Sequence, residues 1–355
     1  MNNNYTYCIG LMSGTSLDGV DLAYVKINNN SYVDFEIIKA NTFSYSNEWK
    51  KKLQEAISYN KSNLISLDIE YGIFLGNLLN EFITVNKIAK LDFIASHGHT
   101  VLHQPDDGIT LQIGNGEEIA KITNEKVICD FRTQDVKYGG QGAPLVPIGD
   151  KLLFSSYEYC LNLGGFANVS FEKGANRIAF DICPVNIVLN HYTRKLGFEY
   201  DDGGEISSKG KINELLLMEL NKLNFYAVKP PKSLGLEWVQ EEIFPLIDNL
   251  EEDIQTILRT FVEHIAIQIS NIIKNTESVL ATGGGVFNSF LMKRIEFHTK
   301  NRVEIPNDKL INYKEALIFS LLGMLKDNNE VNCLRSVTGA IKDHSSGEIF
   351  YPTKE

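Results

Sequence analysis

The 355-residue chain is 43% hydrophobic, and a chain of this length is expected to divide into two domains, each with its own hydrophobic core. Its 34 basic and 45 acidic residues give a formal net charge of −11, which argues against a general nucleic-acid or anionic-membrane surface. The five cysteines lack paired spacing, so the sequence suggests neither a disulfide framework nor a zinc site. No charged leader and no apolar run long enough to span a membrane is visible, so a cytoplasmic protein is expected.

The N-terminal region reads as an apolar strand, a turn of small residues and a second apolar strand. Gly14 and Gly19 permit backbone torsions that are closed to other residues, while Thr15, Ser16 and the turn amides supply donors to an anion such as phosphate. The pair Asp18-Gly19 signals a two-residue hairpin turn. A Walker-type phosphate loop is excluded, because the lysine and the following helix are missing. An ordinary hairpin without a ligand is the alternative that local chemistry leaves open.

Helical and strand patterns follow in the next hundred residues. The strand predicted at 92–96 ends in His97-Gly-His-Thr100, and polar groups at the carboxyl ends of strands mark ligand sites in α/β folds. Residues 138–147 are too rich in Gly and Pro for regular structure and predict a domain boundary. The other elements predicted here are strands at 33–39, 110–113 and 126–129, helices at 47–58 and 64–85, and a helix opening at 114–118.

The strand–glycine–strand pattern returns at residues 160–171, where Gly164 and Gly165 interrupt an apolar run, and two such hairpins predict two similar half-molecules. A third glycine element, Gly283–Gly285, joins a short strand to an amphipathic helix and would let a flat ring approach the backbone. A close-packed turn is the plainer alternative, and the spacing excludes a Rossmann fingerprint. The remaining predicted elements are a strand at 177–180 and helices at 186–196, 212–223, 238–247 and 251–274.

Several motifs occur in a fixed order along the chain: Met12-Ser-Gly-Thr-Ser-Leu-Asp-Gly-Val-Asp21, Ser96-His-Gly-His-Thr100 with His103-Gln-Pro105, Leu111-Gln-Ile-Gly114, Asp130-Phe-Arg132, Gly139-Gly-Gln-Gly-Ala-Pro-Leu-Val-Pro147, Asn162-Leu-Gly-Gly-Phe-Ala-Asn168 and Thr282-Gly-Gly-Gly285. Together they resemble the 1,6-anhydro-N-acetylmuramic acid kinase family over nearly the whole chain. The resemblance implies an α/β, two-domain actin-like ATPase and sugar kinase (ribonuclease H-like) fold with a nucleotide in the interdomain cleft. The expected domains are 1–135 and 136–335, and the tail 336–355 is expected to rejoin the first domain.

The resemblance also implies the reaction. ATP, with Mg²⁺, would convert anhydro-N-acetylmuramic acid and water into N-acetylmuramic acid 6-phosphate in cell-wall recycling. A 1,6-anhydro sugar has no free 6-hydroxyl, so water must attack the anomeric carbon while the departing O6 takes the γ-phosphoryl group. The implied partner is this small amino sugar, without nucleic acid or membrane, and a homodimer is a further expectation because family members often form dimers.

Two acidic residues match the catalytic positions of the family. Asp181 corresponds to its catalytic aspartate, and a general base there would contribute about 10²- to 10⁴-fold in rate. Glu315 falls near the second acidic residue of the site. A helix-capping role for Asp181 and a surface position in the first turn of the last helix for Glu315 are the structural alternatives.

The nucleotide is expected to contact the two hairpins and the glycine turn. Mg²⁺ would be held by Asp18 or Asp21, through water. The positions assigned to the nucleotide are Ser13, Gly14, Thr15, Ser16, Leu17, Asp18, Gly19, Val20, Asp21, Gly164, Gly165, Asn168, Gly283, Gly284, Gly285 and Asn288.

The sugar is assigned to His97, Arg132 and Asn186. The planar guanidinium of Arg132 suits bidentate binding of the lactyl carboxylate, with an ordinary ion pair to Asp130 or Asp135 as the alternative. His97 would donate to sugar hydroxyls, or else be a satisfied structural group.

The loop after Asp181 departs from the family pattern, which is usually Asp-Thr-Gly-Pro-Gly-Asn. Here Ile182, Cys183 and Val185 replace a threonine and two glycines, which would add bulk beside the expected substrate. His99 also stands where the family commonly has glutamine. These differences keep two alternatives open: a kinase for a related sugar, or a catalytically silent nucleotide-binding regulatory module.

Overall fold

A computed structural model of the chain describes residues 4–14, 17–273 and 278–352. Within these ranges the strands are β1 (Tyr5–Ser13), β2 (Gly19–Asn28), β3 (Ser31–Ser44), β4 (Phe93–Gln104), β5 (Ile109–Ile113), β6 (Val127–Cys129), β7 (Tyr159–Leu163), β8 (Phe166–Lys173), β9 (Asn176–Pro184), β10 (Val279–Thr282), β11 (Val303–Glu304) and β12 (Glu348–Phe350).

The helices of the same ranges are α1 (Asn47–Glu55), α2 (Lys61–Val85), α3 (Gly116–Thr123), α4 (Thr133–Lys137), α5 (Val146–Leu153), α6 (Asn186–Arg194), α7 (Glu214–Asn221), α8 (Leu236–Trp238), α9 (Phe244–Leu250), α10 (Ile254–Ile272), α11 (Ser289–Thr299), α12 (Asp308–Asp327) and α13 (Arg335–Thr338). None of these helices combines the length and the apolar character that a membrane crossing requires.

The chain forms two compact units. Unit 1 contains residues 1–154 and 313–355, and unit 2 contains residues 155–312. The domain bounds expected from the sequence, 1–135 and 136–335, differ from these divisions and stay a prediction.

Unit 1 contains a sheet in the order β12-β6-β4-β1-β2-β3, with β5 paired to β4. Strands β1, β2 and β3 are antiparallel neighbours, whereas β4 and β6 run parallel to β1. Apolar side chains of β1 and β2, such as Ile9 and Leu22, are fully buried together with Tyr71 and Leu75 of α2.

Unit 2 repeats this arrangement in the order β11-β10-β7-β8-β9. Three antiparallel strands, β7 to β9, are again followed by two strands that run parallel to the first. This strand order, in both units, confirms the two similar half-molecules and the ribonuclease H-like fold class. The core of unit 2 is built around α10, whose residues Phe261, Ile265 and Ile269 are buried.

The elements predicted from periodicity are present, with shifted ends. Strand β4 was predicted to end at residue 96, but it continues through His97 and His99 to Gln104. The segment 138–147 was predicted to be irregular, but helix α5 already begins at Val146. The two-residue turn predicted at Asp18-Gly19 is wrong. Gly19 is already the first residue of β2 and pairs with Ser44 of β3, so the connection spans residues 14–18.

The described part of that connection also corrects the expected role of Gly19. Leu17 has a left-handed φ of 59°, whereas Gly19 lies in the extended strand β2. Gly19 is needed for another reason, because a Cβ there would lie 2.5 Å from the carbonyl oxygen of Phe43. Thr15 and Ser16, which were predicted to bind phosphate, lie outside the described residues.

Helix α12 packs directly against β1 at Gly10. A Cβ on Gly10 would collide with the carbonyl oxygen of Ala316 and with Oγ of Ser320. The carbonyl oxygen belongs to the helix backbone, so neither partner can move away cheaply. Gly10 therefore sets the distance between the central strand of unit 1 and its covering helix.

We expect Gly10→Ala to destabilise unit 1 by about 3 kcal/mol, because overpacking at a rigid contact must displace α12. The free energy of unfolding is measured by urea denaturation in a Trp238→Phe background, where the fluorescence of Trp49 reports on unit 1. Gly108→Ala, also in unit 1, is the matched control. Gly108 has a φ of 72° and no atom within 4 Å of an added Cβ, so this change is expected to cost about 1 kcal/mol. Equal stability of Gly10→Ala and the wild type would contradict the packing argument.

Candidate active site

The carboxyl end of β1 carries a buried cluster of hydroxyl groups in unit 1. Ser13 Oγ lies 2.6 Å from the hydroxyl of Tyr45 and 2.9 Å from that of Tyr71, and 3.1 Å from Nδ1 of His99. All four side chains are buried. The hydroxyl of Ser13, a residue predicted to contact the nucleotide, is thus engaged inside the unit. Tyr45 and Tyr71 were missed, because no motif marks them.

His97 and His99 of β4 are neutral. Burial lowers the pKa of His99 to about 4. Burial, followed by the nearby Arg132 charge, holds the pKa of His97 well below its usual range. The His97 tautomer follows from its partners: Nε2 accepts a hydrogen bond from Arg132 Nε at 3.0 Å, so the proton sits on Nδ1, which donates to the carbonyl of Gly98 at 3.0 Å. His97 is therefore a structural acceptor, and its ring is not free to donate to a sugar through either nitrogen.

Arg132 precedes α4 and is fixed by two hydrogen bonds. Besides His97, it donates from Nη1 to the carbonyl of Gly142 at 2.6 Å. Burial lowers the pKa of Arg132 to about 10 and the Glu315 charge opposes that shift, so the guanidinium stays charged at neutral pH. Within the described residues Arg132 forms no ion pair with Asp130 or Asp135, the alternative considered from the sequence. In the described ranges, Nη2 has no hydrogen-bond partner and can donate to an anion.

Three carboxylates of unit 1 influence one another. Asp21 is half-buried and accepts a hydrogen bond from Thr42 Oγ1 at 2.6 Å. Burial, reinforced by the charge of Asp18, raises the pKa of Asp21. Burial among neighbouring protein atoms also raises the pKa of Glu315, although part of this side chain reaches solvent, while Arg132 and Lys314 oppose that shift.

Glu315 is exposed and lies in α12, two residues after a kink at Tyr313 that separates two helical segments. A further short helix, α13, follows α12 in the chain, so the helix that carries Glu315 is not the last one. The exposure of Glu315 agrees with the surface position considered from the sequence.

A row of polar residues crosses the sheet of unit 2. Thr282 of β10 pairs with Asn162 of β7, Asn162 with Asn168 of β8, and Asn168 with Asp181 of β9. Directly paired residues project from the same face of a sheet. Residues from four strands that span 120 positions of sequence are thereby brought side by side.

Asp181 is held by the segment that follows α7 in the chain. Its Oδ2 accepts a hydrogen bond from the amide of Leu234 at 2.8 Å, and its own amide donates to the carbonyl of Lys232 at 3.1 Å. Burial raises the pKa of Asp181, and the Leu234 hydrogen bond opposes that rise. Asp181 lies within β9 and not at a helix start, so it is not a helix cap. Within the described residues, Oδ1 has no hydrogen-bond partner.

The glycine turn between β7 and β8 is tied to the start of α6. The amide of Val185 donates to the carbonyl of Gly165 at 2.8 Å, and the amide of Asn186 donates to the carbonyl of Gly164 at 3.3 Å. The Gly164 amide is also used, by the carbonyl of Phe166 at 3.1 Å. Asn186, predicted to bind the sugar, is thus the first residue of α6, and its position is fixed by the hairpin.

The third glycine element has one packed side and one open side. A Cβ at Gly283 would lie 2.6 Å from Oδ1 of Asn162, and one at Gly285 would lie 2.8 Å from Cβ of Leu163. Gly284 is exposed and has no atom within 4 Å of an added Cβ. Asn288 caps α11 by accepting from the Leu291 amide at 2.9 Å.

The substituted loop after Asp181 is part of the core. Ile182, Cys183 and Val185 are all buried and belong to the hydrophobic cluster of unit 2. Ile182 also borders a cavity of about 380 Å³ with Asn221, Tyr226 and other residues. The bulk of Cys183 and Val185 therefore points into the protein interior.

We expect His99→Gln to reduce the acid sensitivity of unit 1. A neutral buried histidine with a pKa of about 4 and an unfolded pKa near 6.5 destabilises the folded state as the pH falls through this window, because the unfolded chain binds the proton more readily. The loss amounts to about 3 kcal/mol at most. The free energy of unfolding is measured by urea denaturation at pH 7, 5.5 and 4.

His103→Gln is the matched control, since His103 lies on the same strand but is exposed. We expect His103→Gln to keep most of the wild-type pH dependence, because His103 is exposed, although burial of part of its ring also lowers its pKa. An unchanged pH dependence in His99→Gln would show that this ring is not the buried neutral group described above.

Comparisons with known proteins place the chain in a family. Residues 6–352 match the family model described as anhydro-N-acetylmuramic acid kinase. A relative of that name from Bacillus cereus (strain Q1) is 34% identical, with 98% of this chain and 100% of the relative covered. Another, from Bacillus thuringiensis subsp. konkukian (strain 97-27), is 34% identical over 98% of this chain and 99% of its own length.

Solved structures resemble the chain more distantly. One is an activator of 2-hydroxyisocaproyl-CoA dehydratase from Clostridium difficile with bound ADPNP, which is 12% identical in sequence and has a TM-score of 0.48. The match covers 91% of this chain and 96% of the activator chain. A glycerol kinase from Plasmodium falciparum with ADP is 11% identical at a TM-score of 0.45, with coverages of 99% and 94%. At these scores the family assignment depends on the sequence match alone. By that match, the chain belongs to the anhydro-N-acetylmuramic acid kinase family and is a carbohydrate kinase.

Proposed function

We propose that the protein uses ATP to open 1,6-anhydro-N-acetylmuramic acid with water and to phosphorylate O6, giving N-acetylmuramic acid 6-phosphate and ADP. The observation that carries this proposal is the setting of Asp181. One carboxylate oxygen is held by the Leu234 amide, the other is free within the described residues, and burial raises the pKa. These are the properties of a general base for water.

Asp181 would act on the water that attacks the anomeric carbon. The oxygen of water forms a bond to C1, the C1–O6 bond breaks, and the electron pair of that bond stays on O6. O6 then bonds to the γ-phosphorus of ATP, and ADP leaves. Asp181 holds the proton that water loses, which keeps the reaction balanced in atoms and charge.

Arg132 is the proposed anchor for the lactyl carboxylate of the sugar. Its guanidinium is charged and is held in place by His97 and Gly142. A pre-positioned guanidinium loses little conformational freedom when it binds a carboxylate. Under this assignment His97 acts through Arg132, as an acceptor that orients it.

The carboxylates of unit 1 fit Mg²⁺, which kinases of this kind use. The half-buried carboxylate of Asp21 and its neighbours Asp18 and Glu315 offer hard oxygen ligands. Burial raises the pKa of Asp21, and the charge of Asp18 adds to that rise. Mg²⁺ commonly keeps several waters and takes one or two protein carboxylates. Bound there, the ion would neutralise charge on the phosphate oxygens.

The nucleotide is assigned to the glycine-containing turns. Gly284 exposes its backbone on an open side, which supports a contact with the adenine ring, while Gly14 and Gly164 belong to the two hairpin turns. These assignments, including Asn168 and Asn288, stay predictions. So do the homodimer and the role in cell-wall recycling. Because the proposed reaction consumes ATP, we place the protein in the cytoplasm.

The proposal is tested with the purified protein, ATP, Mg²⁺ and anhydro-N-acetylmuramic acid in ¹⁸O-labelled water. We expect one ADP per sugar consumed, and the label at the anomeric carbon of the product, because water supplies that oxygen. Turnover only with ordinary sugars, without labelled product, would identify a kinase for a related sugar. ATP binding without turnover over a broad panel of sugars would identify a silent module.

We expect Asp181→Asn to lower kcat by about 10²- to 10⁴-fold, because an amide cannot accept the proton from water. ATP binding, measured by isothermal titration calorimetry, should be unchanged. Asp308→Asn, at the exposed start of α12, is the control and should retain full activity. Wild-type activity in Asp181→Asn would remove this residue from the mechanism.

The pH profile gives a second readout for Asp181. The base works when deprotonated, so kcat/KM should fall as the pH drops through its pKa. Because burial raises that pKa, the fall should begin above the usual aspartate range near 3.9. The residual activity of Asp181→Asn should lack this acid limb.

A further inference from the structure

Three side chains with metal-binding atoms meet inside unit 1, and none of them has a role in the proposed reaction. Asp135 belongs to α4, whereas Cys333 and His344 flank α13 in the C-terminal segment. Their exposed fractions are 0%, 1% and 5%. One ligand atom from each residue lies within 4.8 Å of the other two, and Nε2 of His344 is 3.5 Å from Oδ1 of Asp135.

The imidazole of His344 faces the Asp135 carboxylate through Nε2, but the two form no hydrogen bond. Nδ1 lies 3.1 Å from the carbonyl of Lys342 and donates to it, so Nε2 carries no proton in the neutral ring. Nε2 is buried and has no hydrogen-bond partner within the described part of the chain. A buried polar atom without a partner is rare in folded proteins and calls for an explanation.

The carboxylate of Asp135 is oriented by its own partners. Its Oδ2 accepts from the amide of Gly142 at 2.7 Å, and its Oδ1 accepts from Thr338 Oγ1 at 2.8 Å. Metal-binding carboxylates are commonly fixed by hydrogen bonds of this kind. The hydroxyl of Ser346 is a further buried oxygen, and it contacts the Cys333 thiol.

We propose that Asp135, Cys333 and His344 bind a zinc ion. Thiolate, imidazole and carboxylate are the zinc ligands of proteins, and a thiolate in the set disfavours Mg²⁺ and Ca²⁺. Tetrahedral zinc with bonds of about 2.0–2.1 Å to nitrogen and oxygen separates those two atoms by about 3.4 Å. The observed 3.5 Å between Nε2 and Oδ1 needs little adjustment.

A zinc ion would also balance the negative charge of the buried Asp135 carboxylate. Two anionic ligands, the carboxylate and the thiolate, balance the two positive charges of the ion, so a neutral complex replaces a buried carboxylate. Binding releases the Cys333 proton to solvent, while His344 already presents its lone pair. Burial raises the pKa of Cys333 to about 12, so the residue is a thiol at neutral pH unless a metal displaces the proton.

The ion would join two parts of unit 1 that are far apart in sequence. Asp135 lies three residues after Arg132, in the short helix α4. Cys333 and His344 form an isolated bridge around α13. A metal at this point would fasten the C-terminal segment onto α4 and so restrain the backbone next to Arg132.

The test begins with the intact protein purified without a chelator. We expect elemental analysis to find one zinc per chain, and a chelated sample to regain one zinc on titration with a higher midpoint of thermal unfolding. Cobalt substitution should give the strong d–d absorption of tetrahedral Co²⁺ and a thiolate-to-cobalt charge-transfer band. Activity is not a readout, so the result does not depend on the proposed reaction.

The ligands are tested one at a time. Cys333→Ser should abolish the charge-transfer band, and His344→Ala should weaken zinc binding by at least about 100-fold. Cys160→Ser, which changes another buried cysteine in β7 of unit 2, should leave stoichiometry and spectrum unchanged.

Other outcomes overturn the proposal. A wild-type protein that takes up no stoichiometric zinc or cobalt has no such site, and one whose cobalt spectrum lacks a thiolate band does not use Cys333. Equal zinc content in Cys333→Ser and the wild type would also show that Cys333 is not a zinc ligand. If a variant fails to fold, the wild-type spectrum and the chelator-dependent unfolding midpoint decide.

Discussion

The register of strand pairing is the constraint on which the candidate site depends. In unit 2 it places Thr282, Asn162, Asn168 and Asp181 side by side, although they come from four strands. In unit 1 the same strand order brings Ser13 next to His99. Because a slip of one residue would turn every one of these side chains to the opposite face, the apolar residues that fix the register also fix the chemistry.

Burial then gives these polar groups different protonation states. It lowers the pKa of His97 and His99, so both rings are neutral, and it raises the pKa of Asp181, so this carboxylate becomes a better base. The same physical cause, removal of water from around a charge, acts in opposite directions on cations and anions. A sheet edge that is partly shielded from water can therefore hold acceptors and a base without further charged partners.

The sequence predicted the elements and the fold class well, because hydrophobic periodicity and glycine turns are local signals. It failed where several local options compete: Asp18-Gly19 has the composition of a tight turn, but pairing with β3 draws Gly19 into a strand. It also missed groups that only tertiary structure brings together. Tyr45 and Tyr71 reach Ser13 from distant segments, and Asp135, Cys333 and His344 have no spacing that a motif would reveal.

The hydrogen bond between Leu234 and Asp181 has a consequence for how this family diverges. The donor is a main-chain amide, so this hydrogen bond does not depend on which side chain position 234 carries. Any substitution at this position that keeps the N–H group therefore leaves this hydrogen bond in place. Proline alone lacks the N–H group, so it is the one residue that descent should exclude there.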